Sequence, residues 1–269
     1  MMKMTTLFNV KTKYILKSIL FCTIFTGILV VFSFIKSSIP DKFERLAYGI
    51  IGTIAALLTT YLFLRFDKKS FADIGLKIEK ATLKKFFAGV LAGIGIMGLL
   101  AISTIYFSDF RIVANKNSNI LNFFLLTLPL IPLAFMEEVG FRAYPLTLLK
   151  SKTGFRNSII ITSVLFAFYH IANGWTIQNS FLGAGVWGII FGLAAIYSNG
   201  ISMPTGLHYA ANLTTSAFGI SDNSFNIWVL KQKNGLTLEN YQGSQITTLI
   251  PQIILLIFGV FCMRCILRK

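Results

Sequence analysis

Charge is what this chain has least of. Only 13% of its 269 residues are charged, ten are acidic, and there are two histidines. Soluble domains carry about a quarter charged residues, so an ordinary water-facing surface is excluded. Cysteine is sparse as well. Cys22, Cys262 and Cys265 are an odd number in or beside apolar runs, which excludes a framework of paired disulfides. Cys262 and Cys265 make a single CxxC with no second pair, and they read as packing. There is no HExxH, no internal repeat, no low-complexity stretch and no polar segment long enough for a separate soluble domain.

What is abundant is apolar sequence. Hydrophobic residues make up 55% of the chain and the mean hydropathy is +0.70. Apolar runs fall at 15–35, 46–64, 84–107, 120–149, 157–173, 181–198, 202–218 and 246–263. A bilayer-spanning helix needs about 20 residues. The pattern therefore predicts an all-α polytopic membrane bundle of about eight helices, one integral membrane domain over 1–269. The first run follows Lys11, Lys13 and Lys17 but no small-residue cleavage site follows it, so it reads as an uncleaved helix.

The net charge of +15 does not mark a nucleic-acid binder, because the basic residues lie in the gaps between apolar runs. If the N-terminus is inside, seventeen of the 25 basic residues fall in inner segments and seven in outer loops. Arg142 alone lies within a helix. This bias predicts cytoplasmic termini. The GxGxxG within "GAGVWGIIFG" (183–192) has no strand before it. Gly188 and Gly192 read instead as a GxxxG face for close helix packing. The sequon "NLT" at 212–214 lies at membrane depth and is set aside.

Only two of the acidic residues, Glu137 and Glu138, sit well inside an apolar run. His170 and His208, the only histidines, do the same. Ionisable groups in hydrocarbon cost several kcal/mol and usually mark function. Counted at about 1.5 Å per residue from the inner charges, the three helices bring these groups to similar depth. Glu138 and Arg142 are four apart and share a helix face, as do His208 with Asn212 and Phe166 with His170. Asn173 follows His170 by three and is expected to orient it. Pro145 is expected to distort the fourth helix. Each feature alone has a bland reading: a core histidine, an interhelical asparagine, a structural ion pair. Their coincidence on three helices favours a site.

The ordered motifs EExxxR ("EEVGFR", 137–142), FxxxH ("FAFYH", 166–170) and HxxxN ("HYAAN", 208–212) resemble the CPBP family. These are the CAAX-protease and bacteriocin-processing intramembrane peptidases, with Rce1-like and Abi members. The resemblance covers about 120–218, the expected catalytic core. It implies that Glu137 acts with His170 on a water molecule, that Glu138 and Arg142 shape the site, and that His208 and Asn212 donate to the oxyanion. The family's metalloprotease name implies another account, with Glu137, His170 and His208 holding a divalent metal such as zinc. The spacing decides neither. Either way the implied reaction is hydrolysis of a peptide bond in a membrane-associated peptide or protein, with the lipid bilayer as surroundings and no nucleic-acid partner. Prenylated CaaX proteins, peptide pheromones, bacteriocin precursors and membrane-protein tails all remain open as substrates. The Phe/Ile/Lys-rich composition points to an AT-rich bacterial genome and so to a bacterial plasma membrane. A non-catalytic scaffold or bacteriocin-immunity protein on the same fold is the competing class. An ion-coupled transporter is a weaker one, given the absence of repeat halves.

Overall fold

The computed structural model describes residues 2–36, 39–220, 226–232 and 245–266. The chain folds into α1 (Met2–Lys36), α2 (Asp41–Asp67), α3 (Thr82–Phe107), α4 (Ile120–Thr127), α5 (Leu130–Glu138) and α6 (Tyr144–Thr153). Then come α7 (Phe155–Ala172), α8 (Val186–Ser198), α9 (Ser202–Ala217) and α10 (Gln245–Ile266). A π-helical turn, Val139–Ala143, joins α5 to α6, and another, Asn179–Gly185, leads into α8. Treating 120–153 and 179–198 each as one interrupted rod, the described residues form eight rods at the eight apolar runs. Six are long and apolar enough to cross a membrane. Leu20, Val31, Leu62, Leu91, Leu99 and Phe261 are among many large apolar side chains left exposed. An apolar surface of that extent suits lipid rather than water.

Helix α9 is a rod below spanning length. Its 16 residues rise about 24 Å, less than the roughly 30 Å hydrocarbon core, and most of its length is buried among other helices. Glycine permits that burial. A Cβ at Gly89 of α3 would lie 2.0 Å from the Met203 carbonyl oxygen, and one at Gly206 of α9 would lie 2.0 Å from that of Phe86. The two backbones therefore touch, as small-residue membrane packing allows. The expected GxxxG face is also present: a Cβ at Gly188 would meet Ser163 and the Arg142 guanidinium at 3.1 Å, and one at Gly192 would meet Ile159 at 3.2 Å.

The long fourth run is not one regular helix. It breaks between Thr127 and Leu130, at Pro129, and widens into the π turn at 139–143. Pro145 follows directly. In a regular helix its ring would clash with the carbonyl of Phe141, and the wider turn relieves this. The distortion expected from Pro145 thus takes the form of a π turn between Glu138 and Tyr144. At the basic end of the bundle, Asp67 pairs with Lys17 and accepts from the Tyr144 hydroxyl at 2.6 Å, tying α1, α2 and α6 together.

Two short strands were not foreseen by the all-helical reading. β1 (Phe110–Ala114) and β2 (Trp228–Gln232) pair antiparallel, Phe110 opposite Gln232 and Ala114 opposite Trp228. Asn115 extends the pairing by donating to the side chain and carbonyl of Asn226, at 2.8 and 3.0 Å.

Candidate active site

Four of the expected residues meet in the bundle core. Glu138, at the end of α5, is fully buried, and its Oε1 accepts from two partners. His208 Nδ1 lies at 2.8 Å and Arg142 Nη1 at 3.5 Å. Arg142 sits on the π turn and is 2% exposed. Its Nη2 donates to the Gly188 carbonyl at 3.4 Å, and its guanidinium carbon lies 4.2 Å from the Phe166 ring centroid. A buried cation is tolerated when paired and hydrogen-bonded, and an aromatic face adds to that. The His208 ring stacks on Phe191 at 4.3 Å and turns Nε2 toward Glu137 Oε2, 3.5 Å away. One imidazole thus stands between two adjacent carboxylates.

Glu137 faces another way. Together with Tyr48, Tyr169, His170, Asn173 and Trp175 it lines a cavity of about 470 Å³. The Tyr169 hydroxyl donates to Glu137 Oε1 at 3.3 Å. Glu137 Oε2 is buried and has no hydrogen-bond partner among the described residues; His208 Nε2 approaches it at ion-pair distance, 3.5 Å, without a hydrogen bond. His170 Nδ1 lies 2.9 Å from the Phe166 carbonyl oxygen. A carbonyl only accepts, so Nδ1 carries the hydrogen and Nε2 is left as a base. Phe166 and Trp175 meet the ring edge-on, with centroids at 4.5 and 4.6 Å.

The other expectations divide. Asn173 does not reach the His170 ring: its amide donates to the Tyr169 carbonyl at 3.1 Å, and the ring is oriented by Phe166 instead. Asn212 stands one turn beyond His208 on α9, partly buried, and is not among the residues lining the cavity. Tyr169 and Tyr48 were not picked out from sequence. Tyr169 is the immediate neighbour of His170, yet adjacency on a helix carries no contact rule, and Tyr48 arrives from α2.

The donor types at this site suit a divalent cation. Glu137 offers a buried, unpartnered carboxylate oxygen, and each imidazole has Nδ1 engaged by an acceptor, which leaves Nε2 for a ligand. The spacing is less suited. Among the described residues no three His, Cys, Asp or Glu side chains form a cluster that could hold a metal ion.

Residues 117–214 match the family described as type II CAAX prenyl endopeptidase Rce1-like. The segment is Rce1-like. No curated protein matches the chain. The Rce1-like segment runs from the loop before α4 to Thr214 on α9 and contains Glu137, Glu138, Arg142, His170, His208 and Asn212. The family that it matches is one of CAAX-type prenyl endopeptidases. Together with the six long apolar helices, this makes the chain an integral membrane protein. Tyr48, Val30 and Ser33, which complete the cavity wall, lie outside the Rce1-like segment.

Proposed function

We propose that the chain is an intramembrane endopeptidase that cleaves a membrane-associated peptide or protein, using a water held between Glu137 and His170. The observation that carries this is their shared cavity: an ionisable carboxylate and an imidazole with Nε2 free border one space. A water donating one hydrogen to Glu137 and the other to Nε2 of His170 keeps a lone pair for the peptide carbonyl. Loss of its proton to one of these bases makes it a nucleophile at neutral pH. The same base then returns a proton to the leaving amine.

Glu138 and Arg142 shape the site by holding His208. The oxyanion is assigned to the imidazolium form of His208, in which Nε2 carries a hydrogen while Nδ1–H is held by Glu138, and to the Asn212 carboxamide on the same face of α9. Such donors act most strongly where water is excluded. Tyr169 holds Glu137 in place. The cellular setting that fits is a bacterial plasma membrane with the termini in the cytoplasm.

A second reading has one observation in its favour, the Nδ1-engaged state of both imidazoles. A divalent cation such as zinc would be held by Glu137, His170 and His208 and would acidify and polarise the attacking water. The test is a peptide-library cleavage assay on purified protein, with metal analysis and a Glu137→Gln control. Cleavage that survives metal removal supports the Glu137–His170 water. Stoichiometric zinc lost in His170→Ala moves the three residues to a metal. Absence of any Glu137-dependent cleavage, with the cellular phenotype intact in Glu137→Gln, leaves the scaffold or immunity reading.

A further inference from the structure

The Glu137–His170 cavity sits toward one end of the bundle, and a fixed level shows which. Lys17 of α1 pairs with Asp67 of α2, and Asp67 accepts from Tyr144 of α6, so these three mark one plane at the basic end. Ser33 stands sixteen residues beyond Lys17 on α1, about 24 Å along the helix. Tyr48 stands nineteen residues from Asp67 on α2, about 28 Å away. His170 is fourteen residues from Arg156 on α7, about 21 Å. All three line the cavity, which therefore occupies the half of the bundle remote from the basic end.

The two ends of the cavity differ. Toward the basic end the core is closed by aromatic rings, with Phe21, Phe25, Phe141 and Tyr144 at most 1% exposed. Phe21 stacks on Tyr144 with centroids 5.0 Å apart, and Phe25 meets Phe141 at 5.9 Å and Tyr169 at 6.3 Å. Rings packed at the density of a protein interior leave no passage for a peptide. At the other end, Ala172, Asn173 and Trp175 line the cavity where α7 stops. All three are exposed, Trp175 by 49%. The cavity is thus floored by rings and rimmed by the end of α7.

Arg65, Lys68, Lys69, Lys150, Lys152 and Arg156 all flank the closed end, and an excess of basic residues marks the cytoplasmic side. We infer that the cavity opens on the extracytoplasmic face. The peptide bond it cuts is then one presented there, in an exported peptide or an outward-facing segment of a membrane protein. The cut rests on the peptidase reading above; the side of the opening rests on packing and charge alone. A lipid-modified tail held at the cytoplasmic leaflet would have to carry its polar backbone across the hydrocarbon to reach Glu137, and unpaired polar groups are costly there. Among the substrates that the sequence leaves open, this sets prenylated CaaX proteins aside and keeps exported peptides.

The side of the opening and the side of the cut are measured separately, on the full chain in bacterial membranes. With the three native cysteines replaced, Ser33→Cys reports on the cavity wall and Ser151→Cys on the basic end. In intact cells an impermeant thiol reagent should modify position 33 and spare 151, which reacts only after permeabilisation. Ala172→Cys, at the exposed rim, takes the place of Ser33→Cys if that variant fails to fold. An impermeant peptide library is then offered to right-side-out and to inverted membrane vesicles carrying the unaltered chain. Cleavage that is lost in Glu137→Gln should occur in the right-side-out vesicles and be absent from the inverted ones. Modification of 33 only after permeabilisation, or of 151 before it, overturns the inference, as does Glu137-dependent cleavage in inverted vesicles. Modification of 33 from outside with no Glu137-dependent cleavage in either preparation sinks the peptidase reading instead and leaves the outward opening in place.

Discussion

His208 and Glu138, on helices far apart in sequence, make the shortest polar contact in the candidate site, 2.8 Å from Nδ1 to Oε1. Arg142 reaches the same oxygen from its other side. The carboxylate is thus a hinge-pin between a cation on its own rod and an imidazole on the buried helix α9.

That arrangement makes Arg142 a stability residue. In Arg142→Ala, Glu138 keeps its contact with His208 but loses its only fixed cation, and the Phe166 face loses its partner. Breaking a buried pair from one side typically costs about 3–5 kcal/mol. A markedly lower melting temperature in detergent, or a collapse in yield, is the expected result. An Arg142→Ala protein that is inactive yet melts like wild type would place the guanidinium among the groups touching substrate.

Tyr169 and Glu137 should separate by the size of their effects. Glu137→Gln keeps the shape and removes the base, so cleavage should fall by at least roughly 100-fold with an unchanged melt. Tyr169→Phe keeps the ring contacts with Phe25, Phe141 and Phe166 and deletes one hydrogen bond to Glu137. Such a bond is worth about 0.5–1.5 kcal/mol, so a roughly two- to tenfold drop in kcat is expected. An effect as large as that of Glu137→Gln would mean that the hydroxyl itself takes part in the chemistry.

How much of this was visible before folding depends on the kind of contact. The Glu138–Arg142 pair and the Gly188–Gly192 face are set by positions three or four apart on one helix, and periodicity reads those directly. His208 between two glutamates, Tyr48 in the cavity wall and the β1–β2 pair all depend on how separate elements cross. No spacing rule supplies that. Asn173 shows the converse: its spacing from His170 was favourable, but a backbone carbonyl nearer at hand, that of Tyr169, took its amide.

The close seam between α3 and α9 yields a packing prediction. In Gly206→Ala the new methyl would meet the Phe86 carbonyl oxygen at 2.0 Å, and that oxygen is backbone and cannot swing aside. Overpacking of this kind costs about 1–3 kcal/mol. The variant should melt lower than wild type, while Gly95→Ala, where nothing lies within 4 Å, should not. Equal behaviour of the two would mean that α3 and α9 are less closely apposed.

Topology can be read with single cysteines at Asn117 and Ser151, after Cys22, Cys262 and Cys265 are replaced. Asn117 precedes the 34-residue rod Ile120–Thr153, and Ser151 lies in its last turn. In intact cells an impermeant thiol reagent should modify position 117 and spare 151. Labelling at both from the same side would remove this rod from the set of spans and reverse the inside–outside charge bias on which the cytoplasmic termini rest. Asn234, in an outer loop by the same bias, lies outside the described residues.

The wall of the Glu137–His170 cavity has two origins. Glu137, Tyr169 and His170 come from the Rce1-like segment, whereas Val30, Ser33 and Tyr48 come from α1 and α2, which precede it. On the proposed reading, the groups that activate the water and part of the wall that a peptide would meet therefore lie on different stretches of the chain. Two proteins can share every motif residue and still admit different peptides, simply by exchanging side chains on their first two helices. Swapping α1–α2 between such relatives, with everything from Asn117 onward untouched, is a direct route to retargeting the cut.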